Sequence, residues 1–191
     1  MNLLEERIRR DGIVREDGVL RVDSFLNHQI DVTLLEAMGK EFARLFQGEN
    51  INKILTIEAS GIAIAYAAAK EFGCPLVFAK KNKTRNLPTD VWTSTVRSFT
   101  TGKDYDIMVS RDYLTEKDRV LIVDDFLAMG SALSALITMV EDAGATCVGA
   151  GIAIEKAFQP GGELIRSRGV RVESLARIAS MGSDNNSIVF C

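Results

Sequence analysis

The stretch VLIVDDFLAMGSA, Val120 to Ala132, decides how the rest of the chain is read. Its first four residues are apolar, three of them β-branched, and make a run short enough for a strand buried on both faces. The run stops at two adjacent carboxylates, Asp124 and Asp125. Small residues follow, and a helical pattern starts near Gly130 and continues to about Ala143, with Gly144 at its end. A strand that feeds a helix through a glycine-containing turn is the repeating unit of a parallel α/β sheet.

Outward from that stretch the same unit recurs. Ile54 to Ile57 (ILTI) is a β-branched run, followed by Ser60, Gly61 and an Ala-rich helix ending at Gly73. Pro75 to Lys81 (PLVFAKK) and Thr146 to Ile154 (TCVGAGIAI) read as further strands. The expected fold class is therefore α/β, with a mostly parallel central sheet and helices on both faces. Near the N-terminus, Leu3 to Arg10 reads as a short helix and Gly18 to Leu26 as strand-like. Thr33 and Glu36 form a T-x-x-E capping box for an amphipathic helix reaching about Gln47. Between about Asn82 and Thr115 the pattern changes to β-type alternation around Thr-Thr-Gly-Lys-Asp, as expected of an inserted antiparallel arm. The tail, MGSDNNSIVFC, reads either as a turn plus a short strand or as a disordered end. A chain of 191 residues is long enough for one well-cored domain spanning 1–191.

Composition narrows the function. A net charge of -3 with a pI near 5.3 argues against electrostatic binding to nucleic acid or anionic lipid. No apolar run approaches the roughly 20 residues of a membrane-spanning helix. The opening MNLLEERIRRDG lacks the apolar core and cleavage site of a signal peptide. Cys74, Cys147 and Cys191 form no CxxC pair, which points to neither a zinc site nor a disulfide framework, and to a reducing, cytoplasmic compartment. His28 is the only histidine and no G-x-S-x-G accompanies it, so a nucleophilic triad is not expected. Neither G-x-x-x-x-G-K-[ST] nor G-x-G-x-x-G occurs.

Ligands of an open α/β sheet bind beyond the carboxyl ends of its strands. Two such ends carry small-residue loops: Ala59, Ser60 and Gly61 after one strand, and Ala128, Met129, Gly130, Ser131 and Ala132 after another. Backbone amides there, at helix N-termini, suit an anion. Taken alone, the first loop equally describes a tight turn that binds nothing. Asp124 and Asp125 cannot ligate phosphate. They suit hydroxyl donors or a divalent metal, so acids and loop together fit a ligand carrying both ribose and phosphate.

These residues resemble the type I phosphoribosyltransferases, whose signature for phosphoribosyl pyrophosphate (PRPP) is an apolar strand, two acids, two or three apolar residues and a small Gly/Ser/Thr loop. Over almost the whole chain, through EASGIAIA, FAKK, DDFLAMGSA and AIEKAFQPGGE in order, the sequence is similar to the bacterial xanthine phosphoribosyltransferase branch. The resemblance implies transfer of ribose 5-phosphate from PRPP to a 6-oxopurine, xanthine in that branch, with pyrophosphate released and magnesium bound with PRPP. It also implies a homodimer and an N-terminal hood over about residues 1–30.

Carried over position by position, residues 128 to 132 would cradle the 5-phosphate. Met129 stands where close relatives carry a small or polar residue, and only its backbone need face the phosphate. Asp124 and Asp125 would hold the ribose hydroxyls and stabilise the cationic sugar carbon. Ala59, Ser60 and Gly61 would form the pyrophosphate loop, where family members often hold a strained peptide bond, and Lys81 would neutralise the departing pyrophosphate. In KKNKTR, Lys83 and Arg85 individually read as solvated, but the group resembles part of a lid excluding water. Lys156, an ammonium that can only donate, would meet the 6-oxygen of the base, a match that adenine's amino group lacks. Leu20 and Asn27 would flank the purine, Asn27 reaching the 2-oxo edge. Phe126 packs against either base or core. Trp92, Phe99 and Tyr105 read as arm packing or a subunit contact rather than a stacking platform. Two other readings stand beside this one. One is the same enzyme fold preferring guanine, hypoxanthine or adenine; the other is a non-catalytic PRPP sensor of purine genes, against which the acidic pI and the lack of a helix-turn-helix segment count.

Overall fold

The apolar runs become the middle strands of one sheet because each is covered on both faces. The computed structural model describes residues 1–15, 18–81, 90–97, 104–182 and 187–191. Helix α1 (Asn2–Asp11) precedes a short antiparallel ribbon of β1 (Ile13–Val14) and β2 (Leu20–Arg21). A single π-helical turn at Asp23–Asn27 leads to α2 (Val32–Leu45), β3 (Lys53–Ile57), α3 (Gly61–Phe72) and β4 (Leu76–Ala79). Next comes a hairpin of β5 (Val91–Arg97) and β6 (Asp104–Ser110). The chain continues as β7 (Arg119–Leu127), α4 (Ser131–Asp142), β8 (Thr146–Lys156), α5 (Gly161–Ser167), β9 (Val172–Ser180) and β10 (Val189–Phe190).

The main sheet runs in the order β10-β9-β8-β7-β3-β4, parallel except for the antiparallel edge strand β10. On one face α1, α2 and α3 bury Leu4, Phe42 and Ile64. On the other, α4 and the hairpin bury Leu136, Ile107 and Val109. The alanines of α3 have a packing reason, since a Cβ on Gly39 of α2 would stand only 2.5 Å from the Ala67 carbonyl oxygen. The left-handed Gly73 (φ 65) ends α3.

The strand order places the site. From β3 the chain steps outward to β4, then returns past β3 to β7 and proceeds the other way through β8 and β9. The reversal lies between β3 and β7, where open α/β sheets bind ligands.

Several expectations need correction. The strand of Val120 runs on to Leu127, so Asp124 and Asp125 lie inside it, still laddered to β8 (Asp124 opposite Ile152, Leu127 opposite Glu155). Pairing with β3 stops at Leu55 opposite Ile122, and on that side the acids project past the last paired residues. Gly18 to Leu26 is mostly not strand, because it enters the π-helical turn at Asp23. The cap of α2 is Asp31, whose carboxylate accepts from Leu34 N–H at 3.1 Å, which puts Thr33 inside the first turn. That helix ends at Leu45, short of Gln47. The tail does form a strand, β10. Elements β9 and α5 carried no clear periodicity.

The hairpin is tied to the domain at its base. Lys80 and Met108 exchange two backbone hydrogen bonds at 2.9 Å, and Trp92 Nε1 donates to the Leu114 carbonyl at 3.0 Å. Trp92 packs inward against the α4-side core and under the Arg111 guanidinium, 4.0 Å from its ring centroid. Lys83, Arg85, Phe99 and most of the Thr-Thr-Gly-Lys-Asp segment lie outside the described residues. Among those described, no helix is long and apolar enough to cross a membrane.

Candidate active site

The loop after β7 is shaped by two glycines distant in sequence. Gly130 takes the left-handed conformation (φ 83) that lets the chain turn into α4. The first helical bond runs from Ser134 N–H to the Gly130 carbonyl at 2.8 Å, so the amides of Ser131, Ala132 and Leu133 have no partner within the helix. Gly161 seats the loop from behind. Its N–H donates to the Ala128 carbonyl at 3.0 Å, and a Cβ there would lie 2.3 Å from that same oxygen. Residues 128 to 132 line a cleft of about 560 Å³, with Val19 and Lys156 along one wall and Arg97 and Tyr105 along another. Amides outside the helical ladder, a helix N-terminus and a roomy cleft suit a phosphate.

The two acids sit at the floor of the strand reversal and face different neighbours, as successive strand residues do. Both are buried, Asp124 5% and Asp125 9% exposed. Asp125 N–H donates to Asp124 Oδ1 at 2.9 Å, and Phe126 N–H to Asp125 Oδ1 at 3.0 Å. Asn27 Nδ2 reaches Asp125 Oδ2 at 3.2 Å. Asp124 lies against the start of α3, where a Cβ on Gly61 would stand 2.9 Å from Asp124 Oδ1 and 2.2 Å from Thr56 Oγ1. Burial, and then the charge of Asp125, push the Asp124 carboxyl well above the ordinary carboxylate range, and the Asp125 amide and the Lys81 ammonium oppose the shift only in part. Such a pair is short of positive charge and of donors, and a ligand rich in hydroxyls supplies donors.

Beside the acids, Ala59, Ser60 and Gly61 form the turn into α3, and the Glu58–Ala59 peptide bond is cis. The Glu58 carboxylate accepts from the Lys81 backbone N–H at 2.6 Å, which ties this turn to the segment that follows β4. From there the Lys81 ammonium lies 5.6 Å from the centroid of the Tyr105 ring.

At the far wall Lys156 ends β8, its Nζ donating to the Gly18 carbonyl at 3.1 Å. Leu20 is 5% exposed and packs in the core, so its side chain shows little surface to a ligand. Asn27 is exposed, and the structure sets it beside Asp125. Phe126 packs against the core and also lines the cleft. Four contributors escaped the sequence reading: Glu58, Thr56, Tyr105 and Gly161. Only Gly161 had a visible signal, the Gly161–Gly162 pair after a proline.

Among the described residues, no group of three or more His, Cys, Asp or Glu side chains converges. The adjacent carboxylates are hard oxygen donors, and they fit a magnesium ion that draws most of its shell from substrate phosphates and water.

A family model described as "Phosphoribosyl transferase domain" matches residues 22–167. The xanthine phosphoribosyltransferase of Lachnoclostridium phytofermentans is 54% identical over 190 residues, covering 100% of this chain and 98% of that protein. The enzyme of the same name from Bacillus cereus is 52% identical over 190 residues, covering 100% and 95%. A crystal structure of adenine phosphoribosyltransferase from Rhodothermus marinus superposes with a TM-score of 0.74 over 93% of this chain and 100% of that one, at 24% identity, a likeness of fold.

Proposed function

The chain belongs to the phosphoribosyl transferase family, and from that premise we propose that it converts xanthine and PRPP to xanthosine 5-monophosphate and pyrophosphate in purine salvage. The carrying observation is that one cleft is lined by the 128–132 loop and by Lys156 at a strand end, while the buried acid pair directly precedes Phe126 of that cleft, on the strand that borders the reversal between β3 and β7. Relatives over 50% identical across the whole chain bear the name of that enzyme.

In this mechanism the amides of residues 128 to 132 and the Ser131 hydroxyl hold the 5-phosphate. Asp124 and Asp125 accept from the ribose hydroxyls, and the bond from the sugar carbon to pyrophosphate breaks as the purine nitrogen approaches. Positive charge then develops on that carbon beside two desolvated carboxylates, where a charge counts for more than in water. Ala59, Ser60 and Gly61 receive the pyrophosphate and Lys81 neutralises it. Asp124 and Asp125 are the oxygen donors that would face a magnesium ion carried with PRPP, and such an ion would offset phosphate charge. Lys156 exchanges the Gly18 carbonyl for the 6-oxygen of the base, while Asn27 bridges Asp125 to the 2-oxo edge; Leu20, buried in the core, takes no direct part.

The reading extends to a single unit over 1–191, with a hood over about 1–30 and an arm over about 82–115. The three unpaired cysteines fit a cytoplasmic enzyme. A homodimer is supported by the exposed apolar side chains of Ile30, Val32 and Tyr66 on one face. Pyrophosphate release with each purine base and PRPP tests the assignment: xanthine should be the best acceptor, and adenine as best would refute the role of Lys156. Specific DNA retention in a gel shift would favour the sensor instead.

A further inference from the structure

Two charged residues end β8 in succession, and only Lys156 lines the cleft. Its neighbour Glu155 points to the other side of the sheet and is 1% exposed. Arg166 grips it with two bonds, Nη1 to Oε1 at 2.7 Å and Nη2 to Oε2 at 2.9 Å. The Ser174 hydroxyl at 2.5 Å and Arg177 Nε at 3.2 Å complete the shell on Oε2. Burial alone would raise the Glu155 carboxyl, but these donors hold it below the ordinary range. Removing an ion pair from water costs about as much as the pairing returns, so stability is a weak reason for it.

Its position supplies a better one. Arg166 belongs to α5, which opens with Gly161 and Gly162. Gly162 packs against the carboxylate, for a Cβ there would stand 2.2 Å from Glu155 Oε1. Gly161 packs against the loop after β7, its own Cβ position lying 2.6 Å from Gly130 N. These two residues therefore form a spacer one backbone thick between the buried carboxylate and the loop.

We propose that the Glu155–Arg166 pair is a latch that sets the position of the 128–132 loop through Gly161 and Gly162, which makes both residues positioning residues for PRPP. The latch rests on the assignment of that loop to the 5-phosphate. It acts at a distance: neither Glu155 nor Arg166 lines the cleft. Loosening α5 lets the loop drift while Lys156, held by the β8 ladder, stays in place for the base.

Steady-state kinetics on Arg166→Met, Arg166→Lys and Glu155→Gln, with thermal melts beside them, test this. Arg166→Met should raise the KM for PRPP roughly tenfold or more, because displacements near 1 Å have effects of that size. Its KM for xanthine should stay within about threefold. Arg166→Lys should recover part of the loss, as an ammonium keeps one charge-assisted bond of the two. A folded Arg166→Met with an unchanged KM for PRPP, or with a rise confined to xanthine, overturns the latch. Should that variant not fold, Glu155→Gln is judged by the same two measurements. Absence of turnover in the wild-type enzyme with xanthine and PRPP would instead refute the underlying assignment, and the latch with it.

Discussion

Replacing Gly161 with Ala perturbs the phosphate loop from behind, with every residue that lines the cleft left unsubstituted. The new methyl would sit 2.3 Å from the Ala128 carbonyl oxygen, 2.6 Å from Gly130 N and 2.7 Å from the Met129 carbonyl carbon. All three are backbone atoms, so no side chain can rotate away. Ordinary contact needs about 3.4 Å, and the start of α5 must part from the loop by roughly 1 Å, as overpacked sites do. That parting stretches the Gly161 N–H bond to Ala128, now 3.0 Å. Overpacking costs about 1–3 kcal/mol and the bond about another 1 kcal/mol. In a domain of this size each kcal/mol lowers Tm by about 2–4 °C. Catalysis should suffer more, since a displacement of about 1 Å at a substrate clamp can cost around 10²-fold. Initial rates at varied PRPP and saturating xanthine, with a melt by calorimetry, measure both effects. A KM for PRPP equal to wild type would refute the reasoning, because the loop would then tolerate displacement or Gly161 would not seat it.

Lys156→Ala should lower kcat/KM for xanthine by roughly 10²-fold while leaving the KM for PRPP near wild type, because it removes a donor to the base alone. Equal losses for both substrates would give Lys156 another role. Asp125→Asn should depress turnover by about 10²-fold with little change in Tm, since the transition state loses a carboxylate that the empty fold does not need; wild-type turnover would exclude the electrostatic role. Asp124 offers a pH test. Its carboxyl is raised in the folded protein, so folding takes up a proton above 3.8, the ordinary value, and stability falls as pH rises through the window between that value and the raised one. Asp124→Asn should thus melt higher than wild type at neutral pH, though less active. The gain should fade on acidification towards 3.8, and an offset that ignores pH would contradict the burial argument.

The β-branched runs at Ile54–Ile57 and Val120–Val123, and the glycines ending α3 and opening α4, were legible because they act on their immediate neighbours. The composite of acids and small loop was legible for the same reason: one strand and one turn bring Asp124, Asp125 and residues 128 to 132 together. Strand β9 was not. Its Ser174 and Arg177 break the apolar pattern because they serve Glu155 on the adjoining strand.

By itself, then, the sequence determined the strand-turn-helix units, the α/β class and the kind of ligand whose acids and amides lie along one stretch of chain. Tertiary structure alone decided that the sheet reverses between β3 and β7, that Asn27 meets Asp125 across 98 residues, and that Gly161 lies behind Gly130. The physical reason is range. Backbone hydrogen bonding and hydrophobic periodicity are written over a few residues, whereas a contact between distant segments exists only once the sheet order has brought them to the same end of neighbouring strands.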